Sequence, residues 1–243
     1  MKLEFVSLLP TQRELYAIPR GVERFQAYLR TMIDAKSGDL RLPLSGMNPM
    51  GKSHVPALLD TYLALGAEDV AVQTLRELAA ATTEVPGEFK VALVVVDDAE
   101  GGWTNRYTVE FEHCFQEQAL WKRGWLVAIL WTSENPDSVR VKGEICAVVH
   151  RAAYITRHGP ARTLRQMLAQ EGAVQARAGG RGARLNAEEI IYTRAVIAPL
   201  LDAEDRPTIL SVLFGDPAAK ALGYTPLGLS DRAGLAMALA EAV

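Results

Sequence analysis

Val91-Ala92-Leu93-Val94-Val95-Val96 is apolar at every position and mostly β-branched, and it is followed at once by Asp97-Asp98. A short run without alternation predicts a strand covered on both faces, as in the middle of a parallel sheet, rather than a strand with one wet face. Downstream, Trp125-Leu126-Val127-Ala128-Ile129-Leu130-Trp131 is a second run of this kind. Parallel neighbours need a long crossover between them. The segment from Val109 to Gln118, read as a helix, supplies one. Upstream, Lys2 to Leu9 reads as a first strand ended by Pro10.

Between these strands and after them the periodicity is helical. Val22, Phe25, Leu29, Met32 and Ile33 recur at helical spacing, with Pro19 ahead as a first-turn residue, and predict a helix that packs through this stripe. His54 to Leu65 predicts a helix closed by Gly66, with Glu68 to Ala81 as the next. Asp137 and Ser138 cap a helix carrying Val141, Ile145, Val148, Ala152 and Ile155, and Gly159-Pro160 separates it from another that runs to about Gln170. The stretch from Ala178 to Arg184 is rich in glycine and reads as a linker. Asn186 with Glu189 makes a capping-box start. After Pro207 the tail is expected to alternate short helices with glycine-proline turns and to close with a helix from Arg232 to Ala242. The fold expected is α/β: a mostly parallel sheet flanked by helices over residues 1–135, with a predominantly helical region over 136–243.

With 243 residues, 49% hydrophobic and 23% charged, the chain has enough apolar material for a substantial core, and disorder is not expected. A net charge of -3 argues against general nucleic-acid binding, which needs a clustered positive surface. Two cysteines, Cys114 and Cys146, are too few for a disulfide framework, which favours a reducing, cytoplasmic setting. No apolar run approaches the roughly 18 residues of a membrane-spanning helix, and no membrane association is expected.

The stretch with the most explicit chemistry is Gly46-Met47-Asn48-Pro49-Met50-Gly51-Lys52-Ser53, which matches every fixed position of G-x-x-x-x-G-K-[ST]. In that pattern glycines let backbone N–H groups turn toward phosphate oxygens, the lysine reaches the outer phosphates, and the hydroxyl holds magnesium. Val94-Val95-Val96-Asp97-Asp98 resembles the apolar strand with an acidic end that serves the metal in P-loop nucleotidases. The resemblance implies a metal role for Asp97 and Ser53, a water-polarising catalytic role for Asp98, and phosphate-sensing roles for Thr132 and Ser133. It covers residues 46–53 and one strand end. Three features depart from it: Pro49 removes an N–H, Met50 adds bulk in the curl, and Leu40 to Ser45 carries an arginine and a proline where a buried strand should enter.

Other groups offer different chemistry. Asp97, Asp98, Glu110, Glu112 and His113 form an acid–imidazole series, and Cys146 and His150 lie four apart on one helix. The turn Gly101-Gly102-Trp103-Thr104-Asn105-Arg106-Tyr107, at the end of the central strand, places rings, an amide and a guanidinium where ligands are commonly held. The candidate ligand-binding residues are therefore Gly46, Asn48, Gly51, Lys52, Ser53, Trp103, Asn105 and Arg106. The leading expectation is a protein that binds a small phosphate-bearing ligand, such as a nucleotide with Mg2+. Two alternatives remain beside it: a non-P-loop small-molecule or metal-dependent enzyme using the strand-end acids and the 101–107 turn, and a non-catalytic interaction protein that presents Trp103, Arg106 and the arginine-rich helices.

Overall fold

The structure is a computed structural model, and it describes residues 1–83, 85–102, 104–180, 182 and 184–242. The chain divides into two compact units, Met1–Arg106 with Gln118–Val148, and Tyr107–Glu117 with Val149–Val243.

The first unit is built on a three-stranded parallel sheet in the order β1 (Lys2–Phe5), β2 (Glu88–Val96), β3 (Trp125–Trp131). The expected central strand is central, with Val91 opposite Phe5 on one side and Leu126 on the other. Every residue of β2 from Val91 and every residue of β3 is buried, which is why neither strand alternates.

The first strand is shorter than the sequence implies. β1 stops at Phe5, and the chain enters α1 (Leu9–Ala17) with Pro10 in the first turn, where its missing N–H removes no intrahelical bond. Pro10 thus opens a helix instead of ending a strand. Where β1 has run out, Gln12 of α1 takes over its pairing with β2: its amide donates to Val95 O at 3.0 Å and accepts from Val95 N at 2.9 Å.

In α2 (Val22–Met32) the packing face differs from the expected one. Val22 and Phe25 are exposed, and Arg24 and Tyr28 are buried. The reason is polar: Arg24 donates to Ile18 O and Pro49 O and lies over the Tyr16 ring, and Tyr28 donates to Leu44 O, so these two side chains fix which face turns inward. Pro19 lies ahead of the Gly21 cap rather than in the first turn. Next come α3 (His54–Ala64), Gly66 in the left-handed conformation, and α4 (Ala67–Ala81). The expected helix after β2 is α5 (Arg106–Phe115), followed by the short α6 (Gln118–Lys122).

The C-terminal half is helical. α7 (Ser138–His158) is capped by Asp137, which accepts from Arg140 N at 2.7 Å. α8 (Leu164–Arg177) continues a full two turns past Gln170 and starts in a Thr163–Gln166 capping box. α9 (Ala187–Ile197) starts in the expected Asn186–Glu189 box. The tail holds α10 (Arg206–Leu222), which non-helical backbone at Gly215 divides into two helical stretches, and then α11 (Ala233–Ala242). Phe111, Leu164, Leu168, Leu210, Phe214 and Met237 are among the core residues of the second unit. There Arg151 makes a two-pronged buried ion pair with Glu171, both contacts at 2.8 Å. Among the described residues, no helix is long and apolar enough to cross a membrane.

Candidate functional site

Segment 46–53 is held from behind by side chains of α1 and α2. The hydroxyl of Tyr16 donates to Asn48 O at 2.5 Å and Arg24 donates to Pro49 O at 3.3 Å, so two of its carbonyls are tied toward the helices. Burial, reinforced by the charge of Asp97, pushes the Tyr16 phenol well above its ordinary range and keeps it a donor. The two pattern glycines meet a close approach. A Cβ at Gly46 would lie 2.9 Å from a Val96 methyl, and one at Gly51 2.8 Å from a Val55 methyl and 3.1 Å from the Tyr16 hydroxyl. The smallness of Gly46 lets the segment lie against the end of β2, and that of Gly51 lets it pack against α1 and α3.

Three backbone N–H groups of the segment are directed into local turns. Met47 N donates to Leu44 O, Gly51 N to Asn48 O, and Met50 N to the Asn48 side chain, all at 2.9 to 3.0 Å. No strand leads into it; the residues before it make only an isolated bridge, Ile33 to Leu40. Lys52 reaches across to the turn after β2, donating to Glu100 O at 2.6 Å. Ser53 caps α3 by position and makes no side-chain cap bond.

The segment does lie beside the acidic strand end. Asn48 Nδ2 donates to Asp97 Oδ2 at 2.8 Å, and His54 Nε2 lies 2.7 Å from Asp97 Oδ1. Asp97 is 2% exposed, so it needs these partners to offset its lost hydration. The His54 side chain is 16% exposed, with Nδ1 3.3 Å from Glu100 Oε2 in a direction that makes no hydrogen bond. An ionised carboxylate only accepts, so the Asp97 contact assigns a proton to Nε2 and leaves Nδ1 as the nitrogen that can take one.

Asp98 is engaged differently. Its Oδ1 accepts from Ser133 N at 2.9 Å and lies 3.1 Å from the Thr132 hydroxyl, and its Oδ2 accepts from the Ser133 hydroxyl at 2.6 Å. The Thr132 hydroxyl also lies 3.2 Å from Asp97 Oδ1, which links the two acids through one O–H group. Arg106 Nη1 donates to Ser133 Oγ at 3.0 Å, Nη2 donates to Glu134, and the guanidinium lies over the Trp131 ring, 5.0 Å from its centroid. Gly102 permits the return of the turn: a Cβ there would come within 2.4 Å of Asp97 O.

Asn48, Lys52, Asp97, Asp98 and Arg106 are thus brought to the carboxyl end of the sheet, where parallel α/β folds bind ligands. Asn105 is exposed just ahead of α5, and Trp103 lies outside the described residues. The remaining members of the series belong to the second unit: Glu110 pairs with Arg232, Glu112 with Arg206, and His113 Nδ1 lies 2.9 Å from Glu117. Burial pushes the Cys146 thiol up and the His150 imidazole down, which leaves both uncharged at neutral pH instead of forming a thiolate–imidazolium pair.

Comparison with protein-family models, with curated proteins and with solved structures finds no match. The site is therefore read from its own chemistry. Among the described residues, no three or more His, Cys, Asp or Glu side chains are grouped to hold a metal ion. The second unit has a cavity of about 440 Å³ lined mainly by apolar residues such as Leu168, Ile197 and Met237, with Arg165 and Arg194 also lining it. Both arginines are paired, with Asp202 and Glu241.

His54 is the site residue that the sequence pattern hides. Immediately after Gly51-Lys52-Ser53 it reads as the first helical residue and nothing more. The only local signal is a histidine at a helix start, and its partner is forty-three residues away.

Proposed function

We propose that the protein binds and transforms a small molecule at the carboxyl end of β2, with the His54 imidazole as the acid–base group and Asp97 as the carboxylate that orients it. The observation that carries this reading is the 2.7 Å contact between a buried carboxylate and a partly exposed imidazole on two different elements. Such a contact fixes ring orientation and tautomer, and that leaves one nitrogen for proton transfer. Thr132 and Asn48 complete the carboxylate's shell, so Asp97 is held whether or not a ligand is present.

The test is a thermal-shift and ligand-detected NMR panel of nucleotides, sugar phosphates, hydroxy acids and keto acids, run on wild type and His54→Gln. A class of compound that stabilises wild type and loses at least about tenfold in affinity for His54→Gln supports the reading, a difference of about 1.4 kcal/mol. Binders that treat the two proteins alike, or a panel with no binder, contradict it.

A second reading is a phosphate-bearing ligand, such as a nucleotide with Mg2+, at the exposed Lys52 and Ser53. It is favoured by the position of both residues at the N-terminus of α3 beside Asp97, where the helix dipole attracts an anion. For this reading Lys52 has to leave Glu100 O, and ATP with Mg2+ has to stabilise wild type and not Lys52→Ala.

A further inference from the structure

Glu134, in the loop from β3 to α7, is gripped from two sides. Its Oε1 accepts from Arg106 Nη2, and its Oε2 accepts from Arg140 Nη1 at 2.5 Å. Arg106 stands at the start of α5 and Arg140 in the first turn of α7, so two guanidinium groups from different elements converge on one carboxylate. We propose that Arg106 and Arg140 form an oxyanion clamp that Glu134 fills from within the chain, and that a carboxylate or phosphate of a small-molecule ligand takes its place.

Three observations support a binding role beyond loop anchorage. The clamp is preformed: Arg106 is fixed by Ser133 and by the face of Trp131, and the helix bearing Arg140 is capped by Asp137. It holds donors that Glu134 does not use. Arg140 Nε and the Tyr62 hydroxyl are both buried without a hydrogen-bond partner, and Tyr62 is fully buried. Burial pushes the Tyr62 phenol up to about 12; the charge of Arg140 works against that rise and the charge of Glu134 adds to it, so both clamp groups act on its O–H. A buried donor left unmatched costs stability, and a tetrahedral oxyanion has more acceptor oxygens to offer than a carboxylate. Glu134 is also able to leave, because its side chain is 17% exposed and sits in a loop followed by Pro136.

The clamp joins the proposed acid–base centre by a continuous chain of contacts: Arg106 to Ser133, Ser133 to Asp98, and the Thr132 hydroxyl between Asp98 and Asp97. A ligand held by its oxyanion would lie over the strand ends, where Asp97 meets His54 of α3. The clamp rests on the proposed function only for that choice of ligand position. An attached carboxylate competes at high effective concentration, so a free anion binds wild type weakly.

The experiment uses Glu134→Gln, which keeps the side-chain shape and removes the charge. Thermal unfolding is followed against sodium phosphate and sodium acetate, each compared with sodium chloride at equal ionic strength, for wild type, Glu134→Gln and Glu134→Gln/Arg140→Gln. Phosphate is expected to stabilise Glu134→Gln with an apparent affinity about tenfold or more above that for wild type, because the internal competitor is gone. Acetate should act more weakly, and the double variant should respond to neither. Equal responses in all three proteins would overturn the clamp. Should Glu134→Gln fail to fold, the Arg140 Nε–H resonance of wild type is followed instead, at phosphate concentrations high enough to fill a weak site: movement with phosphate but not with chloride at equal ionic strength supports the clamp, and no movement rejects it. His54→Gln keeps both arginines, so failure here leaves the test of the acid–base centre intact.

Discussion

Asp97 Oδ1 and His54 Nε2 are 2.7 Å apart although forty-three residues separate them in the chain. One sits at the end of the central strand and the other opens a helix, and the segment between Gly46 and Ser53 is the strap that joins them. Asn48 is the buckle of that strap: its side chain bonds forward to Met50 N and across to Asp97 Oδ2.

Asn48→Ala should therefore unmake both bonds and leave a buried carboxylate short of one donor. A loss of about 1–3 kcal/mol is expected. Urea unfolding monitored by tryptophan fluorescence reads it; a loss within the error of the extrapolation would mean that Asn48 does not hold the strap.

Lys52→Ala separates a structural lysine from a ligand-binding one. Since its ammonium bonds the carbonyl of Glu100 at the surface, the variant should lose about 1 kcal/mol or less. Amide hydrogen exchange should quicken at residues 99–102, where the turn loses its anchor. Unchanged exchange there would show that the lysine does not hold the turn.

Gly215→Ala should destabilise the second unit severely. Gly215 has φ of 75°, and a Cβ there would stand 2.0 Å from Ser230 O, so neither the backbone conformation nor the space admits a side chain. Loss of the cooperative unfolding transition, or of soluble expression, is the expected outcome; a melting curve matching wild type would contradict the kink.

The ion pair of Arg151 and Glu171 gives the second unit an acid-sensitive element. Burial pushes the Glu171 carboxyl up, but the charge and hydrogen bonds of Arg151, with Gln170, outweigh burial and leave it below the ordinary value of 4.5. A carboxyl lowered in the folded state contributes stability that is present above 4.5 and is lost as the pH falls through its folded value. Urea titrations from pH 6 to pH 3 should show this loss in wild type and a shallower one in Glu171→Gln. At pH 7, Glu171→Gln alone should cost about 3–5 kcal/mol, because it takes the carboxylate charge away from a buried guanidinium.

The parts of this structure legible in the sequence are those where one force dominates. β2 and β3 lie between covering layers, so every position is apolar, and their parallel pairing follows from the crossover between them. The Asn186–Glu189 box is equally readable, because a cap is a local arrangement. Where polar and apolar demands compete, the pattern misleads. Pro10 looks like an end and is a beginning, and Val22 and Phe25 of the α2 stripe face outward while Arg24 and Tyr28 turn inward to bind carbonyls. The glycine-proline break expected in the tail is present at Gly215 and Pro217, where non-helical backbone at Gly215 divides α10 into two helical stretches. At the site, Lys52 and Asp97 are conspicuous in the sequence, and their relation is not, since contacts between strand ends and distant helices have no local signature. His54 was concealed by the residues just before it, which match a well-defined pattern of their own.

The proposed function assigns ligand chemistry at this strand end to His54 and Asp97 and not to an amide seat around Lys52. The most direct measurement takes the tightest binder from the compound panel and compares its affinity for Lys52→Ala and for His54→Gln by isothermal calorimetry. Lys52→Ala is expected to stay within about threefold of wild type while His54→Gln falls by at least about tenfold. The reverse order, with affinity lost in Lys52→Ala and kept in His54→Gln, would contradict it.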